Sequence, residues 1–298
     1  MRTVYLGTSD FAVTVLQRLA ASAHRPTLVV SRPDRPAGRG RKLQSPPVVD
    51  AARELGIPVF QPDRLADEDA TATVLAEQPE ALVVCAYGAI VREPLLSAAP
   101  IYNVHPSLLP RWRGAAPIER ALAAGDAETG VSIMQLEEGL DSGPVAIQEA
   151  VAVEPGETYG TLAPRLADLG SELLVRALDE QPPFTPQPED GITYAEKITA
   201  DDRTLDPGAP AIVNERMVRA LAPHIGTRVA LDDGTMLGVH AARLLDGADG
   251  DAAPADAAQQ VVITSDQVRL GALELLRVQP PGGKPMDVAA WLRGRASR

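Results

Sequence analysis

The chain has 298 residues, 45% of them hydrophobic and only 3% aromatic, with a formal net charge of −12. That length allows one large domain or two ordinary ones around an aliphatic core, and the acidic balance excludes a protein that holds nucleic acid by overall charge. A single cysteine, Cys85, excludes a disulfide framework; four scattered histidines offer no metal-ligand spacing, and no run of 18 apolar residues marks a membrane span.

From the N-terminus, Thr3 to Gly7 (TVYLG) is an apolar strand, Thr8 to Asp10 a turn, and FAVTVLQRLAAS a helix capped by Ser9 or Asp10. The strand starts almost at once, with no signal-peptide region, so a cytoplasmic protein is expected. Thr27 to Val30 is a second strand. Residues 32–44, rich in Gly, Pro and Arg, read as an irregular loop, and Pro46 and Pro47 open a helix at the turn where proline is tolerated. Ile57 to Phe60 is a strand, Asp69 to Glu77 a helix, and Ala81 to Ala86 a near-continuous apolar strand of the kind buried on both faces. Within that run Cys85 is expected to be a buried thiol. Val91 to Ala98 forms a short helix before a strand at 101. This alternation predicts an α/β unit with a parallel-rich twisted sheet. The first turn, GTSDFA, lacks the second and third glycines of a dinucleotide fingerprint, which argues against NAD.

Two β-rich runs, 129–136 and 145–153, flank the turn EEGLDSG, and Thr158 to Leu178 is a long amphipathic helix bent at Pro164. The proline-rich stretch 181–191 breaks all periodicity and reads as a linker. A helix over 209–222 and short β-like pieces (TRVAL, MLGVHAARLL, QVVIT, QVRLGALELLRV) then predict a small β barrel or sheet domain. The acidic loop GADGDAAPAD between the middle two is expected to be mobile. The expected organisation is therefore a catalytic domain over 1–180, a junction over 181–204, and a C-terminal domain over 205–298.

The most chemically loaded stretch is Ile101 to Glu119, IYNVHPSLLPRWRGAAPIE. Asn103 and His105 are two apart on a strand and so share a face. Each can donate to one oxygen beyond the strand end. The parallel-sheet rule brings Gly7–Asp10, Ser31–Lys42, Ala86–Ile90 and Asn103–Pro110 to one edge, and Asp141, flanked by glycines in GLDSG, is the carboxylate expected to join them. Taken singly, each has a bland alternative: Asn103 a turn amide, His105 a structural histidine, Asp141 a turn acid. The segment Arg32 to Lys42 carries five cations (Arg32, Arg35, Arg39, Arg41, Lys42) against one acid. It reads either as a solvated charged loop or as a contact to a phosphate backbone, extended by Arg111 and Arg113.

These motifs resemble the methionyl-tRNA formyltransferases over nearly the whole chain. GTSDFA is similar to the family's GTPDFA, with Ser9 where proline is usual. PDRPAGRG at 33–40 matches the family's inserted loop, NVHPSLLPRWRGAAPI at 103–118 is the strongest signature, and GLDSG at 139–143 is like GLDTG. TYAEKI at 193–198 matches the domain-junction motif and LRVQPPGGKPM at 276–286 the terminal one. RALAPHIG at 219–226 departs from the Asn-Pro-aromatic-Pro of many members. The resemblance implies a Rossmann-like formyltransferase domain followed by an OB-like β-barrel, and formyl transfer from 10-formyltetrahydrofolate to the α-amino group of initiator methionyl-tRNA. It implies no metal, no membrane and no obligate protein partner, with a monomer expected.

By the same resemblance Asn103, His105 and Asp141 are catalytic. Tyr87, Gly88, Ala89 and Ile90, with Gly139 and Leu140, hold the pteridine end, and Ser107, Leu108, Leu109 and Pro110 lie along the folate. Arg39 engages the acceptor stem, with Arg32, Arg35, Arg41, Lys42, Arg111 and Arg113 as further contacts. Asn103 and a protonated or suitably tautomeric His105 would grip the formyl oxygen, while Asp141 takes a proton or sets the state of His105. Rival readings are a formyltransferase for a small-molecule amine, a non-enzymatic RNA-binding protein and a folate-dependent hydrolase.

Overall fold

Four apolar runs between Thr3 and His105 become the middle of one sheet, because strands covered on both faces can only be filled with aliphatic side chains. The computed structural model describes residues 1–37, 42–245 and 261–296. It forms two units: Met1–Pro117, Glu128–Val151 and Ala163–Ala195 in the first, and Ile118–Ala127, Ala152–Leu162 and Glu196–Arg298 in the second.

The first unit begins with β1 (Thr3–Gly7), α1 (Asp10–Ala20), β2 (Pro26–Val30), β3 (Arg35–Ala37), β4 (Lys42–Gln44), α2 (Pro47–Glu54), β5 (Val59–Phe60), α3 (Glu68–Ala76), β6 (Ala81–Cys85), α4 (Leu95–Ala98), β7 (Ile101–His105) and β8 (Arg113–Gly114). After α5 (Pro117–Ala124), which falls in the second unit from Ile118 on, come β9 (Glu128–Gln135), β10 (Val145–Ala152), α6 (Tyr159–Glu180), whose first turn also falls in the second unit, and β11 (Tyr194–Ala195). Seven strands lie in the order β10-β9-β7-β6-β1-β2-β5. The pairs β1/β2, β1/β6, β2/β5 and β6/β7 are parallel, and β7/β9 is antiparallel. This is the expected Rossmann-like, parallel-rich sheet. The chain winds outward from β1 to β5, then resumes with β6 on the other side of β1. Ligand crevices open at such reversals, and here Thr8 Oγ1 donates to Tyr87 O at 2.8 Å, tying the two loops that leave β1 and β6.

Val4, Leu6, Leu28, Val30, Leu82 and Val84 form one buried face with Val74, Leu95 and Ile101. On β7 the alternation decides the site. Val104 faces α6, whose Gly170 comes so near that an added Cβ would lie 2.8 Å from Val104 Cγ1, while Asn103 and His105 face away from it.

In the second unit, α7 (Ala211–Leu221) precedes β12 (Thr227–Ala230), β13 (Met236–Leu244), β14 (Val261–Ile263), β15 (Val268–Leu270), β16 (Leu273–Gln279), β17 (Met286–Asp287) and α8 (Val288–Ala296). The strands form a curled antiparallel sheet in the order β12-β13-β16-β15-β14, with β17 on β16, an OB-like half-barrel. Its core is Val229, Leu237, Val239, Val268, Leu273, Leu275 and Val278.

Four features differ from the sequence expectation. The loop over 32–44 contains the ribbon β3–β4, paired Arg35↔Gln44 to Ala37↔Lys42. Only Leu95–Ala98 of the 91–98 run is helical. The stretch read as a linker is tied to the first unit, with Thr185 bridging Val145 and β11 pairing parallel with β8. Strands of two residues carry no periodicity to read, which also hid β17; α8 was not foreseen either. The acidic loop at 247–256 lies outside the described residues.

Candidate active site

Asn103 and His105 sit in β7 at 7% and 4% exposure, on the face opposite Val104. A buried amide and a buried imidazole need partners, and Asp141 supplies them from the loop after β9. Asn103 Nδ2 donates to Asp141 Oδ1 at 3.5 Å, and His105 Nδ1 lies 3.7 Å from Asp141 Oδ2. The same Oδ2 accepts the Gly114 N–H at 2.8 Å. The three residues singled out from sequence are therefore one cluster.

The state of His105 follows from its other nitrogen. Nε2 lies 2.9 Å from the carbonyl oxygen of Trp112, which can only accept, so Nε2 carries a proton. In the neutral ring Nδ1 then holds a lone pair and faces the carboxylate. A neutral His105 therefore cannot donate from Nδ1; only the imidazolium can. Trp112 itself adopts φ +63, and its N–H donates to Thr193 Oγ1 at 2.8 Å. Gly114 has φ +121 and passes so near β11 that an added Cβ would lie 2.7 Å from Ala195 O, which is why glycine stands there.

The 107–110 loop is braced from within. Ser107 Oγ donates to Arg111 O at 2.6 Å; Ser132 Oγ donates to Ser107 O and accepts from Leu109 N–H and Gln148 Nε2. Ser107 is fully buried and Leu109 buried, whereas Leu108 and Pro110 are half-buried, so the last two are the members open to a ligand.

Tyr87 is buried, and burial raises its phenol pKa, opposed by the charge of Arg32. Ile90 and Leu140 are exposed at 71% and 62%, two apolar side chains of the expected pteridine segments. Ile90 also lines a cleft of about 740 Å³, with Val91, Leu96 and Leu136 and with Arg92, Glu93, Glu137 and Glu138. Of this set only Ile90 is among the residues expected from sequence; the Leu136–Glu138 run ahead of GLDSG is the signal that points to the rest. Among the described residues no group of three or more His, Cys, Asp and Glu could hold a metal ion, and no helix is long and apolar enough to cross a membrane.

The cations divide. Arg35 and Lys42 are exposed on the ribbon, Arg32 is half-buried, and Arg111 stacks over the Trp112 ring at 4.4 Å. Arg113 is 9% exposed, and its guanidinium donates twice to Gln187 Oε1, at 3.0 and 2.7 Å, so it points inward and not at a polyanion. Arg39 and Arg41 lie outside the described residues. Cys85, as expected, is a buried free thiol, and burial pushes its pKa to about 12.

Residues 1–178 match the formyl transferase family model and residues 197–296 the model of the formyl transferase C-terminal domain. A methionyl-tRNA formyltransferase of Halorhodospira halophila is 47% identical, across 99% of this chain and 96% of its own length. Two solved structures share the fold. A methionyl-tRNA formyltransferase from Clostridium thermocellum has a TM-score of 0.58 at 12% identity, covering 83% of this chain and 95% of its own. HypX from Aquifex aeolicus, in complex with tetrahydrofolic acid, reaches 0.66 at 13% identity, covering 98% of this chain and 47% of that longer one.

Proposed function

The chain belongs to the methionyl-tRNA formyltransferases, and from that premise we propose how it carries a formyl group from formyl-tetrahydrofolate to the amine of methionyl-tRNA. The donor is 10-formyltetrahydrofolate and the acceptor the charged initiator. The observation that carries the reading is the convergence of Asn103, His105 and Asp141 within 3.5–3.7 Å at the exit of β7.

When the amine attacks the formyl carbon, negative charge grows on the carbonyl oxygen. Asn103 Nδ2 donates to that oxygen, and one such donor is worth about 3 kcal/mol in the transition state. The attacking nitrogen must shed a proton. Nδ1 of His105 holds the free lone pair and accepts it, because Nε2–H is committed to Trp112 O. The imidazolium so formed lies between Trp112 O and the Asp141 carboxylate, and its new Nδ1–H serves as a second donor to the oxygen. When the oxyanion collapses, the bond from the formyl carbon to N10 of the folate breaks and Nδ1–H passes its proton to that nitrogen, so tetrahydrofolate leaves neutral and His105 returns to its starting state. Asp141, kept in place by Gly114 N–H, stabilises that cation. No serine or cysteine nucleophile is needed, since the amine is the nucleophile, and the inert Cys85 agrees with that.

The cleft beside Ile90 supports a seat for the pterin: apolar side chains for a flat ring, with carboxylates for its amino groups. Gly139 and Leu140 continue that wall toward Asp141, with Leu108 and Pro110 along the remainder of the folate. On the RNA side, Arg32, Arg35, Lys42 and Arg111, with Arg39 and Arg41 between them in sequence, make a local cationic rim on an acidic protein. Contact range suffices for such a rim because distant charge is screened within about 10 Å.

The deciding experiment incubates purified protein and 10-formyltetrahydrofolate with charged initiator tRNA, uncharged tRNA, free methionine, or no acceptor. Formylmethionyl-tRNA in the first reaction alone is the expected result. Formylation of free amines with equal efficiency, or formate release without an acceptor, would replace this reading with a small-molecule transferase or a hydrolase.

A further inference from the structure

Gln187 lies in the proline-rich stretch that carries no periodicity, and none of the chemistry proposed above uses it. Its amide is nevertheless saturated. Oε1 accepts from Arg113 Nε and Nη2 at 3.0 and 2.7 Å, and Nε2 donates to Asp141 O at 2.8 Å and to Gly143 O at 2.7 Å. A carboxamide has two N–H donors and two lone pairs, and all four are in use.

Those bonds land where the backbone needs them. Asp141 adopts φ +44, a left-handed conformation that a non-glycine residue keeps only when its surroundings hold it there. Gln187 clamps the carbonyls on both sides of Ser142, so the turn cannot relax without breaking them. Its anchor, Arg113, is the residue before Gly114, whose N–H holds the Asp141 carboxylate. The residue on the other side, Trp112, holds His105 through its carbonyl. Residues 112–114 thus form one plate that orients both the imidazole and the acid. That plate is itself pinned by Thr193, which accepts the Trp112 N–H at its hydroxyl and the Arg113 N–H at its carbonyl.

We infer that Gln187 is a positioning residue: its amide ties the Asp141 turn to Arg113 and so sets the carboxylate against His105. The inference rests on the mechanism proposed above for the Asn103–His105–Asp141 cluster. Only a carboxamide of this length meets the requirement. Glutamate keeps an acceptor for Arg113 but has no N–H for the two carbonyls; methionine fills the space and provides neither.

The test compares the full-length parent with Q187E and Q187M. Three quantities are read: melting temperature, hydrogen exchange of the 139–143 segment without substrate, and steady-state kinetics with 10-formyltetrahydrofolate and charged initiator tRNA. Q187E, which retains the pairing to Arg113, keeps the protein folded. The expected result in both variants is faster exchange at 139–143 and a kcat lower by about 10- to 100-fold, with KM for the tRNA within about 3-fold of the parent, as a small misplacement of a catalytic group produces. Parental exchange and kcat in Q187E would overturn the inference. So would a loss of activity that tracks only the fraction of unfolded protein. Exchange is read without substrate, so faster exchange upholds the clamp even if the parent were to formylate a different amine; failure of the parent on charged tRNA would count against the proposed function alone.

Discussion

Asp141→Asn separates the charge of the carboxylate from its geometry. Asparagine has the same size, and its side-chain oxygen still accepts the Gly114 N–H now bonded at 2.8 Å, so the turn and the fold persist. What disappears is the negative charge 3.7 Å from His105 Nδ1 and, because the amide nitrogen takes the place of Oδ1, the long 3.5 Å hydrogen bond accepted from Asn103 Nδ2. Two unit charges at that range interact by about 4 kcal/mol at an effective dielectric near 20. The Asp141 side chain is only 14% exposed, which keeps solvent screening modest. At about 1.4 kcal/mol per tenfold in rate, losing the imidazolium's partner slows turnover by about 10²- to 10³-fold. The assay is formylation of charged initiator tRNA by purified D141N under saturating donor, beside fluorescence titration of folate binding and a thermal melt. Folate affinity within about 3-fold of the parent and an unchanged melt are expected with the slow turnover. Turnover within about 5-fold of the parent would remove Asp141 from the proton balance. Folate binding lost in step with turnover would make its role structural.

Four further outcomes follow from the same structure. With its pKa near 12, the Cys85 thiol stays protonated and buried, so native protein resists iodoacetamide at pH 8 and reacts only once unfolded; labelling of the native protein within minutes would contradict this. Asp202 has a pKa of about 2 because Arg120 donates to its carboxylate and Thr199 adds two more hydrogen bonds. A folded value below the ordinary aspartate value near 4 gives stability that is present above pH 4 and lost as pH falls through 2, so the melting difference between parent and D202N should be constant from pH 7 to 5 and shrink below 4. Gly114→Ala places a Cβ 2.7 Å from Ala195 O at φ +121, which displaces the N–H from Asp141; both melting temperature and kcat fall, and a parental kcat would refute the contact. Arg39→Ala is expected to raise KM for charged tRNA and leave folate affinity unchanged, and equal tRNA kinetics would dismiss the rim.

How much could be read beforehand depended on how far each residue's signal extends along the chain. The β1–β2–β6–β7 sheet was legible because each strand is a five-residue apolar run, and Asn103 and His105 because a period of two makes a shared face unavoidable once β7 is a strand. Arg113 is not the outward cation its sequence suggests: Arg111 and Arg113 look alike beside Trp112, and only the parallel pairing of β8 with β11 turns the second one toward Gln187. Gln187 itself gives no sign, since a glutamine among prolines has no periodic context and its three partners lie 44 to 74 residues away.

Asp141 shows why the rule of carboxyl ends was only half of the argument. That rule collects loops from parallel strands, and it holds for the segments after β1, β2, β6 and β7. The strand before Asp141 runs the other way: β9 pairs antiparallel with β7, with Ser132 opposite His105 and Gln135 opposite Tyr102. Its loop therefore departs at the amino end of β7, where Leu136 N–H donates to Ile101 O at 3.0 Å. From Tyr102 to His105 is about 10 Å along a strand, and five residues from Leu136 to Asp141 can reach about 17 Å. The loop has length enough to fold back over the exposed pleat and bring the carboxylate to the far end. Glycines at 139 and 143 help it do so; an added Cβ at Gly143 would lie 2.0 Å from Gln135 O. A glycine-flanked acid after an antiparallel strand thus reaches the same crevice from the opposite end, so the acid and the imidazole approach each other from different sides and need a common plate at residues 112–114 to fix their spacing.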